Sequence, residues 1–382
     1  MLHRRSSPSY IPDGPSPLRP LTRLSQLFED RIKNAFAGFG PVRFFADPVP
    51  SADLTEIRPA IPASLLKAEL EALPADQHLV TSGQFSVHYA RAEQFPWCLQ
   101  EIGRLRELTF RDVGEGTGKA ADVDLFDAYY LHLFVWDTQA EAIVGAYRMG
   151  LADEIVSRYG KRGLYTQSLF RYRDRVLHAM NPAIELGRSF VRAEYQRSFA
   201  PLMLLWRGIG QFIVQHPQYA MLFGAVSISN DYKPESRRLI VDYLSANNIE
   251  ENLARHVKPR RPFRSHRAAA YDNAEFAALN DIEDVSRMVR QIERDSKGIP
   301  ILLKQYLKLG GRLLAFSADE NFNDVLDGLI MVDLRASDPR VLARYMGEEG
   351  VAAFLSHHGI RTDSLRRASW NRAVAPARPR VY

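Results

Sequence analysis

Residues 132–149 read HLFVWDTQAEAIVGAYRM. β-branched and aromatic residues fill both ends and polar residues the middle, the pattern of two strands closed by a turn at Asp137–Glu141. Upstream, Gln84–Tyr89 alternates apolar and polar residues and reads as a strand. Trp97–Phe110 carries Leu99, Ile102, Leu105 and Leu108 at helical spacing. Downstream, Ile184–Val191 reads as a strand, Phe199–Val214 as an apolar helix and Ala220–Ile228 as a buried strand. Pro234–Ala246 then reads as a helix, with Asn230 and Asp231 suited to the turn or cap before it. After a basic, proline-bearing connection, a helix at Pro300–Leu309 leads to two closing strands, Arg312–Ser317 and Val325–Leu334. This order predicts an α/β fold with a mixed sheet of about seven strands and helices on both faces.

Around this sheet the organisation reads as follows. Residues 1–24 form a flexible leader, and 25–80 an extension broken by prolines. Residues 81–360 form the main domain, with a helical insertion near 248–298, and residues 361–382 a basic tail. A chain of 382 residues with 46% hydrophobic content has enough apolar mass for one large domain or two smaller ones. The single cysteine, Cys98, rules out an internal disulfide framework and a cysteine-rich zinc site. The scattered histidines show no metal-ligand spacing, so no metal is expected. No apolar run approaches the length of a membrane span, and the leader has no apolar core. A cytoplasmic location is therefore expected, with peripheral contact at the inner membrane open. The net charge of +5 concentrates at Lys258, Arg260, Arg261, Arg264 and Arg267 and in the tail. It permits an acidic partner, but no nucleic-acid-binding motif accompanies it.

Shorter motifs narrow the reading. Arg104–Asp127 reads RLRELTFRDVGEGTGKAADVDLFD, followed by HLFVWD at 132–137, GAYRMG at 145–150 and ELGRSFV at 185–191. This series resembles the ornithine-lipid N-acyltransferases and the related hemolysin-like proteins of the GNAT superfamily. It is similar, more distantly, to the acyl-homoserine-lactone synthases. That group carries an arginine and an aromatic on the first helix, an acidic pair, an arginine ending the third strand, and E-L-S-R on the fourth. Arg106 and Phe110 match the first feature, Asp124 and Asp127 the pair, Arg148 the strand end, and Glu185 and Arg188 the ends of E-L-S-R. PILLKQYLKLGGR at 300–312 and DENFNDVLDGLIMVDL at 319–334 resemble the C-terminal signature of the ornithine-lipid enzymes. The resemblance spans roughly residues 85–335 and implies a GNAT-like fold that transfers a fatty or 3-hydroxyfatty acyl group to an amino-acid amine.

Two departures matter. Gly187 stands where the group has serine. The glycine-rich pyrophosphate loop that usually follows the fourth strand is replaced by QRSFAPL, Gln196–Leu202. The missing glycines would hinder close approach of coenzyme A, which favours acyl carrier protein as donor, with acyl-CoA the alternative.

Such a transfer needs a proton acceptor for the amine, stabilisation of the developing oxyanion and orientation of both substrates. No covalent intermediate is required, in keeping with the absence of a G-x-S-x-G elbow. Glu185 is the candidate base or acceptor anchor, the alternative being a buried ion pair with Arg148. In a regular strand Arg188 would face away from Glu185. Asp124 and Asp127 would bind the acceptor's ammonium group or cap a turn. Arg106 and Arg148 would bind its carboxylate or bridge these aspartates, and Phe110 accompanies them on the substrate side. Gln196, Arg197 and Ser198 would meet the donor at a helix start. Trp206, Phe212 and Phe223 are candidates for an acyl tunnel or for plain core. A membrane-lytic protein is the reading from another class, and no signal, spanning segment or amphipathic pore element supports it.

Overall fold

Prolines and polar turns cut the chain into short elements, whose apolar faces are satisfied on the two sides of a single large sheet. The computed structural model describes residues 54–263, 279, 281–319 and 325–361, all within one compact unit. In chain order the helices are α1 (Ala63–Glu71), α2 (Pro96–Asp112), α3 (Ala152–Tyr159), α4 (Asp174–Met180) and α5 (Ala200–Gln215). They continue with α6 (Pro234–Asn247), α7 (Glu251–Ala254), α8 (Ile282–Ile292), α9 (Ile301–Lys308) and α10 (Pro339–His357). The strands are β1 (His78–Ser82), β2 (Phe85–Arg91), β3 (Leu131–Asp137), β4 (Ala142–Leu151) and β5 (Phe170–Tyr172). They continue with β6 (Ala183–Val191), β7 (Met221–Ile228), β8 (Val257–Pro259), β9 (Arg312–Asp319) and β10 (Val325–Asp333).

Eight strands pair in the order β1-β2-β3-β4-β6-β7-β10-β9, and β5 with β8 makes a separate ribbon. The expectation of about seven strands is corrected by one, β1, an edge strand of five residues with a half-exposed pattern. Its short length and the proline at Pro74 give it no readable alternation. The mixed α/β architecture and the β3–β4 hairpin stand as read, with Asp137 paired to Ala142 across the turn.

Alternation along each strand builds two cores. Leu133, Tyr147, Leu186, Leu222 and Ile330 face α5, α6, α9 and α10. Phe223, Leu329 and Met331 face the opposite layer, where α3, α4 and the β5–β8 ribbon pack. Helix α2 lies on that second face, with Phe95 at its start stacked on Phe134 at 5.6 Å. Residues 54–77, expected as an extension, pack on α2. Glu69 accepts from the backbone N–H groups of Trp97 and Cys98 at 2.9 and 2.8 Å, and so caps that helix. Cys98 is buried there, and burial pushes its thiol up, out of reach of nucleophilic chemistry. The leader, Arg264, Arg267 and the tail beyond residue 361 lie outside the described residues.

One joint in the sheet differs from all others. Every neighbouring pair is antiparallel except β6 and β7, which run parallel and pair only from Ala183–Glu185 to Met221–Phe223. Beyond that point β6 stays with β4 up to Val191 and β7 stays with β10 up to Ile228. The sheet therefore opens between its two central strands. Gly224 sits where they part, and a Cβ there would lie 2.1 Å from the carbonyl oxygen of Leu186. We expect Gly224→Ala to force the strands apart at this junction and to destabilise the fold by about 1–3 kcal/mol. Thermal unfolding of the variant beside wild type checks this, and an unchanged Tm would show that the junction yields freely.

Candidate active site

The site rests on a charge-balanced cluster on the second face. Arg106 of α2 is 1% exposed and Asp127 wholly buried. Arg106 donates to both carboxylate oxygens of Asp127 at 2.9 and 2.8 Å, and also to the carbonyl of Asp122. Asp124 and Asp127 form a reciprocal cap on the turn Leu125–Ala128. Asp124 accepts from the N–H of Phe126 at 2.9 Å, and Asp127 accepts from the N–H of Asp124 at 2.8 Å. Arg148 of β4 donates to Asp124 at 2.6 Å and to Asp127 at 3.2 Å. Its guanidinium lies 5.2–5.5 Å from the ring centres of Phe126, Tyr130 and Tyr165. Arg188 of β6 pairs with Asp122 at 3.4 Å and Asp124 at 3.6 Å. Burial works against ionisation of Asp127, but Arg106 and Arg148 outweigh it and hold the carboxyl well below its usual range. His132 bonds the carbonyl of Asp127 at 2.9 Å, and burial lowers it to about 4, so it is neutral.

Arg188 reaches this cluster through a break in β6. The β4–β6 register passes from Arg148↔Gly187 to Ala146↔Phe190, so Arg188 and Ser189 together oppose Tyr147. Arg188 takes φ +50° in this bulge. The extra residue resets the alternation and brings Arg188 to the face that carries Glu185. A regular strand would have placed it on the other face, and that expectation is corrected. The guanidinium lies 5.0 Å from the ring centre of Tyr165.

Glu185 is 2% exposed. Its carboxylate accepts from the Tyr130 hydroxyl and from the backbone N–H groups of Tyr165 and Thr166 at 3.0 and 2.7 Å. Burial raises its pKa against these hydrogen bonds. Glu185 thereby fixes the segment that carries Tyr165.

Where β6 and β7 part, a cleft opens with two limbs. The wider, about 680 Å³, is lined by Leu186–Ser189 of β6, Ala225–Ser227 of β7, Tyr147, Tyr165, Lys297, Glu115, Asp319 and Asp327. The narrower, about 400 Å³, is lined by Phe190, Leu202, Leu205, Leu302 and the turn Gln196–Phe199. Phe110, Val113, Glu115, Ser189, Gln196, Ile301 and Leu302 line both. At its mouth Phe199 is 65% exposed and Ile301 51%.

The chain matches the family model for the acetyltransferase (GNAT) domain over residues 105–207. It is 31% identical over 305 residues to a glycine N(alpha)-acyltransferase of Phocaeicola vulgatus, covering 75% of this chain and 92% of that protein. It is 32% identical over 308 residues to a glycine N(alpha)-acyltransferase of Bacteroides thetaiotaomicron, covering 75% of this chain and 89% of that protein. The chain belongs to the GNAT N-acyltransferases. No solved structure matches it.

In this GNAT N-acyltransferase the candidate residues divide into two sets. Arg188, Phe110, Gln196, Arg197 and Ser198 line the cleft. Arg106, Arg148, Asp124, Asp127 and Glu185 lie behind its wall, engaged with one another or with backbone. Glu185 is held by Tyr130 and two amides, while Arg148 turns to the aspartates. The tunnel candidates Trp206, Phe212 and Phe223 are packed in the core and line neither limb. The residue reading missed Glu115, Asp319, Asp327 and Tyr165. Asp319 and Asp327 stand in the C-terminal signature, and their spacing becomes meaningful only once β9 and β10 are paired. Among the described residues no group of His, Cys, Asp or Glu is arranged to hold a metal ion, and no helix is long and apolar enough to cross a membrane.

Removing one partner from the buried cluster leaves the opposing charge unpaired. Asp127→Asn is expected to cost about 3–5 kcal/mol, read as a shift of the urea midpoint. Glu185→Gln presents an amide N–H₂ to groups that are themselves donors, and is expected to cost about 1–3 kcal/mol. If Asp127→Asn unfolds like wild type, the cluster is not what holds α2 to the sheet.

Proposed function

We propose that this enzyme moves a fatty acyl group from an acyl carrier protein thioester to the α-amine of a small amino acid, glycine, making an N-acyl amino acid of the kind that serves as an aminolipid precursor. The observation that carries this reading is the two-limbed cleft at the β6–β7 opening. An apolar limb, faced by Phe190, Leu202, Leu205 and Leu302, runs into a polar limb faced by carboxylates and Arg188. An acyl chain suits the first limb by burial of apolar surface, and an amino acid suits the second. The thioester carbonyl would then lie at the junction, where orientation alone supplies much of the rate. The names of the two relatives support glycine as acceptor.

The donor side supports a carrier protein. Gln196, Arg197 and Ser198 line the apolar limb beside the start of α5. The glycine-rich turn that lets a pyrophosphate approach the backbone is absent there. The residues behind the wall have a different role in this reading. The Arg106, Arg148 and Asp127 cluster and Glu185 position the cleft rather than touch substrate. The enzyme would work in the cytoplasm, in peripheral contact with the inner membrane that receives its amphiphilic product.

The test is a mass-spectrometric survey with purified enzyme, a pool of amino acids, and matched acyl thioesters of carrier protein and of coenzyme A. N-acylglycine formed preferentially from the carrier thioester is the expected result. Amide formed from coenzyme A alone would overturn the donor assignment. Amide on another amine alone would overturn glycine. No amide from either donor with folded enzyme would overturn the proposal.

A further inference from the structure

The β5–β8 ribbon carries a surface that the acyl transfer does not use. Phe170 and Tyr172 of β5 and Val257 of β8 are buried in the second core. Arg171 and Lys258 alternate with them and are exposed. The register sets these two cations directly opposite each other, a placement that costs stability in an antiparallel pair. The alternation continues past the strand ends. Arg173 stands two residues beyond Arg171, and its backbone N–H donates to the carbonyl of His256 at 3.1 Å. Arg260 stands two residues beyond Lys258, and its backbone N–H donates to the carbonyl of Leu169 at 2.9 Å. Both are exposed, so four cations share the outer face.

Further arginines extend the patch. Burial and the charges of Arg171 and Arg162 lower the pKa of Arg260. Partial burial and the charges of Arg175, Arg255 and Arg173 lower that of His256. The stretches 161–175 and 251–260 together hold eight lysines and arginines against two acidic residues, a local surplus larger than the +5 of the whole chain. One of the two, Asp174, pairs with Lys161 at 2.7 Å. Among the described residues, none of the other seven cations pairs with a carboxylate. Like charges held in opposition, with no carboxylate paired to them, suit an anionic partner.

Two observations say which partner. The ribbon is tied to the wall of the wide limb. The Arg260 guanidinium donates to the carbonyl of Gln167 at 2.8 Å, two residues from Tyr165. The carbonyl of Arg261 accepts from the N–H of Ala318 at 2.9 Å, next to Asp319. Tyr165 and Asp319 line the wide limb and not the narrow one, whereas Arg197–Phe199 line the narrow limb alone. The ribbon therefore backs a different wall from the donor turn. The patch also lacks an apolar anchor, since none of the large exposed apolar side chains among the described residues belongs to it. Protein interfaces draw most of their energy from buried aromatic and aliphatic anchors. A charged bilayer needs only cations close to its surface.

We propose that the outer face of the β5–β8 ribbon, centred on Arg171, Arg173, Lys258 and Arg260, docks the enzyme on an anionic lipid bilayer. This names the face behind the membrane contact in the proposed function and rests on that reading. The adsorption is electrostatic and reversible. It sets the wall of the wide limb beside the surface into which an amphiphilic product partitions.

The experiment is cosedimentation of the full chain with two sets of vesicles, one of phosphatidylcholine and one with about a third phosphatidylglycerol. Wild type is expected to sediment with the anionic vesicles only. It should be released as salt rises from about 0.1 to about 1 M and the Debye length falls from about 10 to about 3 Å. Arg171→Glu combined with Lys258→Glu is expected to weaken binding on the order of a hundredfold. Both side chains face solvent, and the reversal keeps like charges opposed, so thermal unfolding should match wild type. Should this variant fail to fold, Arg171→Gln combined with Lys258→Gln removes the charge without repulsion and should weaken binding roughly tenfold or more.

Folded variants that bind as wild type does would overturn the assignment, as would wild-type binding to phosphatidylcholine as strong as to the anionic vesicles. The rival partner is an acidic protein, the carrier. If the folded charge-reversed variant keeps its vesicle binding but loses turnover with carrier thioester in the absence of lipid, the face belongs to the carrier. Vesicle binding needs no turnover, so its result stands even if no amide forms. Failure to bind, in turn, leaves the acyl-transfer reading untouched.

Discussion

Three arginines and three aspartates, brought together from α2, the 122–127 loop, β4 and β6, fix the geometry on which the site depends. Their charges cancel, so the cluster tolerates burial that no single member would survive. The arrangement is not a stability device in itself, since ion pairs recover little beyond their desolvation cost. What it supplies is register. Bidentate Arg106–Asp127 geometry leaves α2 one seating on the sheet, and Arg148 ties the same aspartate to β4.

Arg188 couples that frame to the cleft. It joins the cluster on one side and lines the cavity on the other, which only the bulge in β6 permits. The same strand therefore does two incompatible things. Up to Glu185 it pairs with β7 and closes the sheet. From Leu186 onward it leaves β7 and exposes Leu186–Ser189 to the cavity. Gly224 allows the close approach to Leu186 at the split, and Gly187 leaves open space just after it, since a Cβ there would meet nothing within 4 Å. A serine at 187, as the resembling families carry, would project into the limb assigned here to the acceptor.

The fold was legible because long elements repeat their period many times. The β3–β4 hairpin, α2, α5 and the last two strands emerge within a few residues of where they were read. What was not legible is short or relational. Three-residue strands such as β5 and β8 have no period to read. A bulge leaves no compositional mark, so the face of Arg188 was read from an alternation that the chain breaks. The motif match found Arg106, Asp124, Asp127, Arg148 and Glu185; the structure joins the first four in one cluster and holds Glu185 on Tyr130 and two backbone amides. Their shared pattern reflects a buried frame as readily as a reactive centre. The distinction lies in what surrounds each carboxyl: Asp127 faces two arginines, whereas Asp327 faces a serine hydroxyl and a cavity.

That contrast explains how one fold keeps two acidic clusters apart in function. Around Asp127 the arginines sit close and hold the carboxyl ionised, so it can neither accept a proton near neutrality nor release its partners. Around Asp327 burial acts with like charge, and the carboxyl is driven the other way. The same residue type is thus held as an anion in the wall, while burial favours its neutral form beside the cleft. Arg188 stands between the two. It pairs with Asp122 and Asp124, and its charge also acts on Glu115 and Asp327 across the cleft. What stands next to each carboxylate, rather than the residue type, sets its charge state.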